Sequence, residues 1–232
     1  MEFSLLGAAA LGTFSFWLML RWEAKRGNAA GCAVDLWDAG LLSAISGLFI
    51  GRLVAMAQAG INPLTDPAQI ILIRSGVSTA ATAVATIAVF AFLSRRSLLP
   101  AADGIAPAAL AGLAGWHAGC LTSGACLGTE SNLPWAFALE GSLIARHPVE
   151  LYTAAALFGA SVCIALWKQY GRPPLGAPAG VGLIAASGIR LATEPMRISL
   201  EGGPIWLYVV GAIAGAGLVV FSVVRRGRSP TG

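Results

Sequence analysis

"AGWHAGCLTSGACLG", residues 114–128, is apolar enough to lie in a lipid bilayer, yet it carries a histidine, two cysteines and four glycines. Small residues let transmembrane helices approach closely, which matters where lipid tails offer no hydrophobic drive for association. An ionisable residue in the same place turns inward, toward other helices or a wet cavity, because exposing it to hydrocarbon is costly. The stretch reads as a packed membrane helix with His117, Cys120 and Gly124 on one face at i, i+3 and i+7, and Gly115 and Gly119 on the adjacent strip. His117 then either makes an interhelical hydrogen bond as a neutral imidazole or lies on a functional path.

The rest of the chain agrees with a bilayer setting. Its 232 residues are 56% hydrophobic and 11% charged, with a mean hydropathy of +0.75, far from the balance of a water-soluble domain. Crossing about 30 Å of hydrocarbon takes roughly 20 apolar residues in a helix, which satisfies its own backbone hydrogen bonds. Seven stretches approach that length: 3–20, 39–59, 75–94, 104–127, 151–167, 173–194 and 202–224. The expected fold is an all-α integral membrane protein with seven transmembrane helices in a single membrane domain over residues 1–232. The basic cluster Arg21, Lys25 and Arg26 follows the first apolar run instead of preceding it, the wrong polarity for a secretory signal. A retained first helix with its amino end outside is expected.

Lysine and arginine collect in cytoplasmic loops. With the amino end outside and the carboxyl end cytoplasmic, the loops after spans one, three and five and the tail hold Arg21, Lys25, Arg26, Arg95, Arg96, Lys168, Arg172, Arg225, Arg226 and Arg228. Topology therefore explains ten of the fifteen basic residues, and the net charge of +4 calls for no nucleic-acid partner. Arg52, Arg74, Arg146, Arg190 and Arg197 remain, within spans or toward the outer side. Four cysteines without CxxC spacing and only two histidines supply a zinc site poorly. Neither a metal nor a cofactor is expected, and Cys32 and Cys163 read as small packing residues.

Four constellations could carry chemistry. The first is the opening stretch. In "RHPVELY", residues 146–152, Pro148 suits a helix's first turn and Glu150 sits where the helix dipole favours a carboxylate. Arg146 and His147 are not needed for a helix start, and at the outer face they could meet an anionic group. In "GIRLATEPMR", residues 188–197, Arg190 and Glu194 pair at i, i+4 if the helix persists, while Pro195 biases Glu194 away from helical geometry. The pair is either a structural lock or part of a phosphate site. In "GLFIGRLVAMAQ", residues 47–58, Arg52 either snorkels to the interface or clamps phosphate with its planar fork. Together these places suggest a polar pocket with surplus positive charge, suited to an anionic phospholipid.

"GLFIGRLVAMAQ", "AADGIAPAALAGLAGWHAGCLTSGACLG", "NLPWAFALEGSLIARHPVELY" and "GIRLATEPMR" together resemble the prolipoprotein diacylglyceryl transferase family, in the family's order and over roughly residues 40–200. The resemblance implies seven spans, an outward amino end and a bacterial inner-membrane, multi-pass location. It also implies transfer of a diacylglyceryl group from phosphatidylglycerol to the lipobox cysteine thiol of a prolipoprotein. The implied partners are phosphatidylglycerol or another anionic phospholipid, the lipobox-containing prolipoprotein and the membrane. Departures are specific: His117 stands where the signature arginine belongs, and "RSGVSTAATA" lacks the family's histidine. Glu150 replaces a usual glutamine, and Thr153 stands where an acidic residue often follows the tyrosine. A divergent member is expected, and two further readings follow from the altered positions: a paralogue with another acceptor, or a non-catalytic phospholipid-binding protein.

Thioether formation needs a thiolate, a held phosphate leaving group and a groove for acyl chains, and a free thiol with pKa near 8.5 is mostly protonated at neutral pH. The resemblance and the residue chemistry assign His117, Arg190, Glu194 and His147 as catalytic candidates. Arg52, Arg146, Glu150, Tyr152, Gly119 and Gly124 are assigned to substrate binding. His117 is expected either as a general base toward the thiol or as a cationic replacement for the missing arginine.

Overall fold

The computed structural model describes residues 3–27, 31–65, 76–122, 126–138, 141–198 and 203–228. Seven α-helices occur among them: α1 (Phe3–Ala24), α2 (Leu36–Gln58), α3 (Thr79–Leu93), α4 (Leu98–Ala118), α5 (Val149–Gly171), α6 (Ala177–Thr193) and α7 (Ile205–Arg228). Four segments are long and apolar enough to cross a membrane: Leu36–Gln58, Leu98–Leu121, Val149–Gly171 and Ile205–Gly227. The protein is an all-α integral membrane protein. α3 and α6, with 15 and 17 residues, rise only about 22 and 26 Å at roughly 1.5 Å per residue.

The chain forms two compact units, one of Phe3–Ala30 with Ala102–Gly232 and one of Gly31–Ala101. In the first, α4 is the central element. Its Ala108 and Ala111 pack with Met19 of α1 and Ala165 of α5, while Leu110 and Ala114 pack with Leu157 and Ile164 of α5 and, beyond them, Val181 and Ile189 of α6. A side chain on Gly112 would meet Phe16, and one on Gly115 or Gly119 would strike the backbone at Leu11 or Ala8 of α1. α6 and α7 meet the same way, since a Cβ on Gly215 would come within 2.7 Å of the Gly180 carbonyl. The outer surface of α7 is apolar, with Trp206, Ile213, Val220 and Phe221 exposed, as a lipid-facing helix requires.

Helix ends in this unit differ from the hydropathy expectation for two reasons, paired charges and prolines. A count of apolar residues stops at charges, but here the charges are paired. α4 starts at Leu98, before Asp103, whose buried carboxylate accepts from the amides of Gly176 (2.6 Å) and Ala179 (2.9 Å) at the start of α6. α1 continues through Glu23 and α5 through Lys168, and these two form a buried ion pair. α6 starts only at Ala177, after Pro173 and Pro174, which cannot continue a helix hydrogen-bond ladder. Asp103→Ala leaves two amides at a helix start without an acceptor and is expected to cost about 1–3 kcal/mol, read as a lower unfolding midpoint in detergent. An unchanged midpoint would mean that water caps α6 equally well.

The opening stretch departs from expectation too. α4 ends at Ala118, and Gly119–Thr122 form a 3-10 turn, so Cys120 lies beyond the α-helix that carries His117. Cys120 and Cys126 are joined in a disulfide, Cα–Cα 4.9 Å, which the sequence reading missed. Gly124 and Arg74 lie outside the described residues. Between Gly128 and Pro148 the described residues include a two-stranded antiparallel ribbon, Phe137–Ala138 with Ala145–Arg146, and a bridge from Glu130 to Arg146. Cys163 is exposed on α5 and not buried between helices.

In the second unit α2 packs on α3. Asp35 caps α2 by accepting from the Trp37 and Asp38 amides. Side chains on Gly47 or Gly51 would strike Thr86 or Thr82 of α3, so these glycines allow the two helices to touch. Arg52 is buried and donates from Nη1 to the Gly76 carbonyl at 2.6 Å.

Candidate active site

Three chain segments lace together by backbone hydrogen bonds at one end of the first unit. The Gly128 amide donates to the His147 carbonyl (2.7 Å), the His147 amide to Thr129 (3.0 Å) and the Thr129 amide to Met196 (2.8 Å). Gly128 has no room for a side chain there, because a Cβ would strike the Met196 carbonyl and Val149. The Glu150 amide reaches the Cys126 carbonyl at 3.4 Å, and the disulfide joins that segment to the end of α4. The first turn of α5 is thereby set between the end of α4 and the segment after α6.

Local sequence shapes each contributor. Pro148 is the N-cap of α5 and Glu150 lies in its first turn. α6 stops at Thr193, just before Pro195, and Glu194–Met196 form a 3-10 turn. Glu194 nonetheless keeps right-handed helical geometry, φ −59 and ψ −41, against the usual bias before proline. The tight turn accommodates Pro195 near its start, and the i, i+4 pair with Arg190 forms.

The side chains make one continuous chain of charges. His117 Nδ1 lies 2.5 Å from Glu150 Oε2. Glu150 Oε1 accepts from Arg197 Nε at 3.0 Å, and Arg197 Nη1 is 3.6 Å from Glu194 Oε2. The same Glu194 oxygen accepts from Arg190 Nη2 at 3.1 Å. Arg190 also donates to the Tyr208 hydroxyl of α7, at 3.2 Å from Nη2 and 3.4 Å from Nε. The relay is mostly buried, with Glu194 7% and Arg190 12% exposed, and Arg197 at 34% forms its open end. Its two arginines face two carboxylates, so the surplus of positive charge expected from the sequence is not what this cluster holds.

Some valences are left open. Arg190 Nη1, Glu194 Oε1 and His147 Nδ1 are buried with no hydrogen-bond partner among the described residues. An unpaired buried donor or acceptor costs about 1–3 kcal/mol, so such atoms mark where a polar ligand group would be welcome. Beside the relay, the Tyr152 hydroxyl accepts from Trp135 Nε1 at 2.8 Å, and the His147 ring meets the Tyr152 ring edge-on.

A family model for prolipoprotein diacylglyceryl transferase matches residues 4–225. The chain belongs to that family. Among curated proteins it is similar to the phosphatidylglycerol–prolipoprotein diacylglyceryl transferase of Cupriavidus pinatubonensis, 35% identical over 153 residues, covering 60% of this chain and 55% of that one. The protein of the same name from Cupriavidus metallidurans is 35% identical over 156 residues, 62% of this chain and 57% of the other. That from Pseudoalteromonas translucida is 30% identical over 115 residues, 49% of this chain and 43% of the other. The chain thus spans about half the length of the curated relatives it matches.

Of the residues singled out from sequence, His117, Glu150, Arg190 and Glu194 stand in the relay. His147 and Tyr152 lie beside each other at the start of α5. Arg146 is held on the Gly128 carbonyl at 3.3 Å. Gly119 lies against Ala8, where its missing side chain admits α1. Arg52 belongs to the second unit. The relay members without an assigned role were Arg197 and Tyr208. Arg197 was already among the arginines that topology left over, and its spacing of three from Glu194 was a usable signal. Nothing local to α7 pointed to Tyr208.

Proposed function

We propose that this protein transfers a diacylglyceryl group from phosphatidylglycerol to the lipobox cysteine thiol of a prolipoprotein, at the outer leaflet of the bacterial inner membrane. The proposed topology is a single membrane domain with seven crossings and the amino end outside. The Cys120–Cys126 disulfide supports an outward site, because such bonds persist in oxidising compartments.

The observation that carries the reading is the Nη1 of Arg190, buried and without a hydrogen-bond partner among the described residues. One edge of this guanidinium is fixed by Glu194 and Tyr208, leaving a buried donor directed by its neighbours and available to phosphate oxygens. A preorganised cation in a dry site stabilises the charge that grows on the phosphate as the glycerol carbon–oxygen bond breaks. In this reading Glu194 positions Arg190, and Tyr152, His147 and Arg146 line the approach at the start of α5.

The test uses the full chain in nanodiscs containing phosphatidylglycerol and a lipobox peptide, with peptide mass and released glycerol phosphate as readouts. Peptide gaining one diacylglyceryl unit, with glycerol phosphate in equal amount, is expected. Intact peptide together with failure to rescue a strain depleted of the authentic activity would overturn the reading. The paralogue reading rests on His117 in the place of the signature arginine, and it predicts that phospholipid is consumed while the peptide stays unmodified.

A further inference from the structure

His117 ends α4 and Glu150 begins α5, 33 residues later, and their side chains touch at 2.5 Å while staying 14% and 15% exposed. A neutral imidazole has one N–H and one lone pair. The carboxylate takes the N–H at Nδ1, so the lone pair sits on Nε2, for which the described residues supply no hydrogen-bond partner. The second Glu150 oxygen is held by Arg197, which keeps the carboxylate aimed.

We propose that His117 Nε2 is the base that accepts the proton of the acceptor thiol, with Glu150 and Arg197 as positioning residues behind it. This rests on the transfer reading above. The thiol proton moves to Nε2, the sulfur electron pair forms the bond to the glycerol carbon, and the carbon–oxygen bond to phosphate breaks. The leaving glycerol phosphate carries off that electron pair and can take up the proton from the imidazolium. Nucleophile, base and a third orienting group are the parts that activated nucleophiles use on unrelated folds.

Two contacts favour a base over a cationic stand-in for the missing arginine. A charged imidazole here would be neutralised by the Glu150 it touches, and Arg197 cannot restore the balance because it is shared between Glu150 and Glu194. Among the described residues the charged groups facing His117 are these, and α1, packed against the same end of α4, carries no titratable side chain between Gly7 and Leu20. The other histidine, His147, has a buried Nδ1 for which the described residues supply no partner, and so no carboxylate among them fixes its tautomer.

The experiment measures the pH–rate profile of peptide lipidation in phosphatidylglycerol nanodiscs for the wild type, His117→Gln and Glu150→Gln, each checked for an unchanged unfolding midpoint. His117→Gln is expected to lose about 100-fold or more in kcat, with little change in KM for lipid and with the acid limb of the profile gone. Glu150→Gln removes the carboxylate that fixes the ring at Nδ1, so kcat should fall while KM for lipid changes little. Nitrogen NMR of labelled histidine should find the neutral ring of the wild type protonated at Nδ1, with mixed tautomers in Glu150→Gln. Active wild type with an unaltered rate and acid limb in His117→Gln would overturn this assignment alone. A wild type that transfers nothing would overturn the transfer reading and this one with it.

Discussion

Glu194→Ala is expected to be the most damaging exchange in the relay, lowering stability by about 3–5 kcal/mol and abolishing lipid transfer. One Glu194 oxygen serves both Arg190 and Arg197, at 3.1 and 3.6 Å. Removing it leaves Arg190 in a buried place with only the Tyr208 hydroxyl as partner. Truncating one member of a buried pair is costly because the other charge stays desolvated, whatever the intact pair contributes on balance. Glu194→Gln keeps the volume and one acceptor, and should recover part of the stability but little of the activity, since a neutral amide does not fix a guanidinium as firmly. Thermal unfolding in detergent and kcat measured beside KM check both statements. A Glu194→Ala protein that melts with the wild type would show that Arg190 is held by other means.

Gly115→Val should destabilise the first unit by about 3 kcal/mol, the second large effect. The new Cβ would collide with the Leu11 carbonyl and lie 2.7 Å from Ser15 Oγ. A backbone carbonyl cannot swing aside as the tip of a long side chain can, so α1 as a whole must move. The shift would travel to Ala8 and Gly119, at the turn that follows His117, so activity should fall along with stability. Gly159→Ala and Gly188→Ala give the contrast: nothing lies within 4 Å of either position, and alanine in place of glycine inside a helix is worth about 0.5–1 kcal/mol. If all three variants melt alike, close helix approach is not what these glycines provide.

Much of the architecture was readable locally. Seven apolar stretches correspond to seven helices among the described residues, and prolines marked two of the ends that matter, Pro148 before α5 and Pro195 after α6. What failed was any inference that treated a charge as a boundary. Asp103, Glu23 and Lys168 all lie inside helices because distant groups satisfy them. The helical face proposed for residues 117–124 failed at Cys120 for a related reason: a bond between Cys120 and Cys126 closes the chain on itself there, and periodicity carries no record of such a bond.

The candidate site divides in the same way. Arg190 and Glu194 could be paired from spacing alone, since four residues apart on a helix are neighbours. His117 and Glu150 were each conspicuous in the sequence, but nothing joined them across 33 residues, and Arg197 bridges to Glu150 from a third segment.

The sequence by itself settled that this chain is a helical membrane protein, because hydrocarbon demands that each spanning segment satisfy its own backbone, and that demand is met or missed within some twenty consecutive residues. The tertiary structure alone decided the pairs between distant segments, His117 with Glu150 and Glu150 with Arg197. Any of several carboxylates could neutralise any of several guanidiniums, and the choice is made by glycine contacts and backbone ties that set helix ends side by side, at separations along the chain where composition holds no preference.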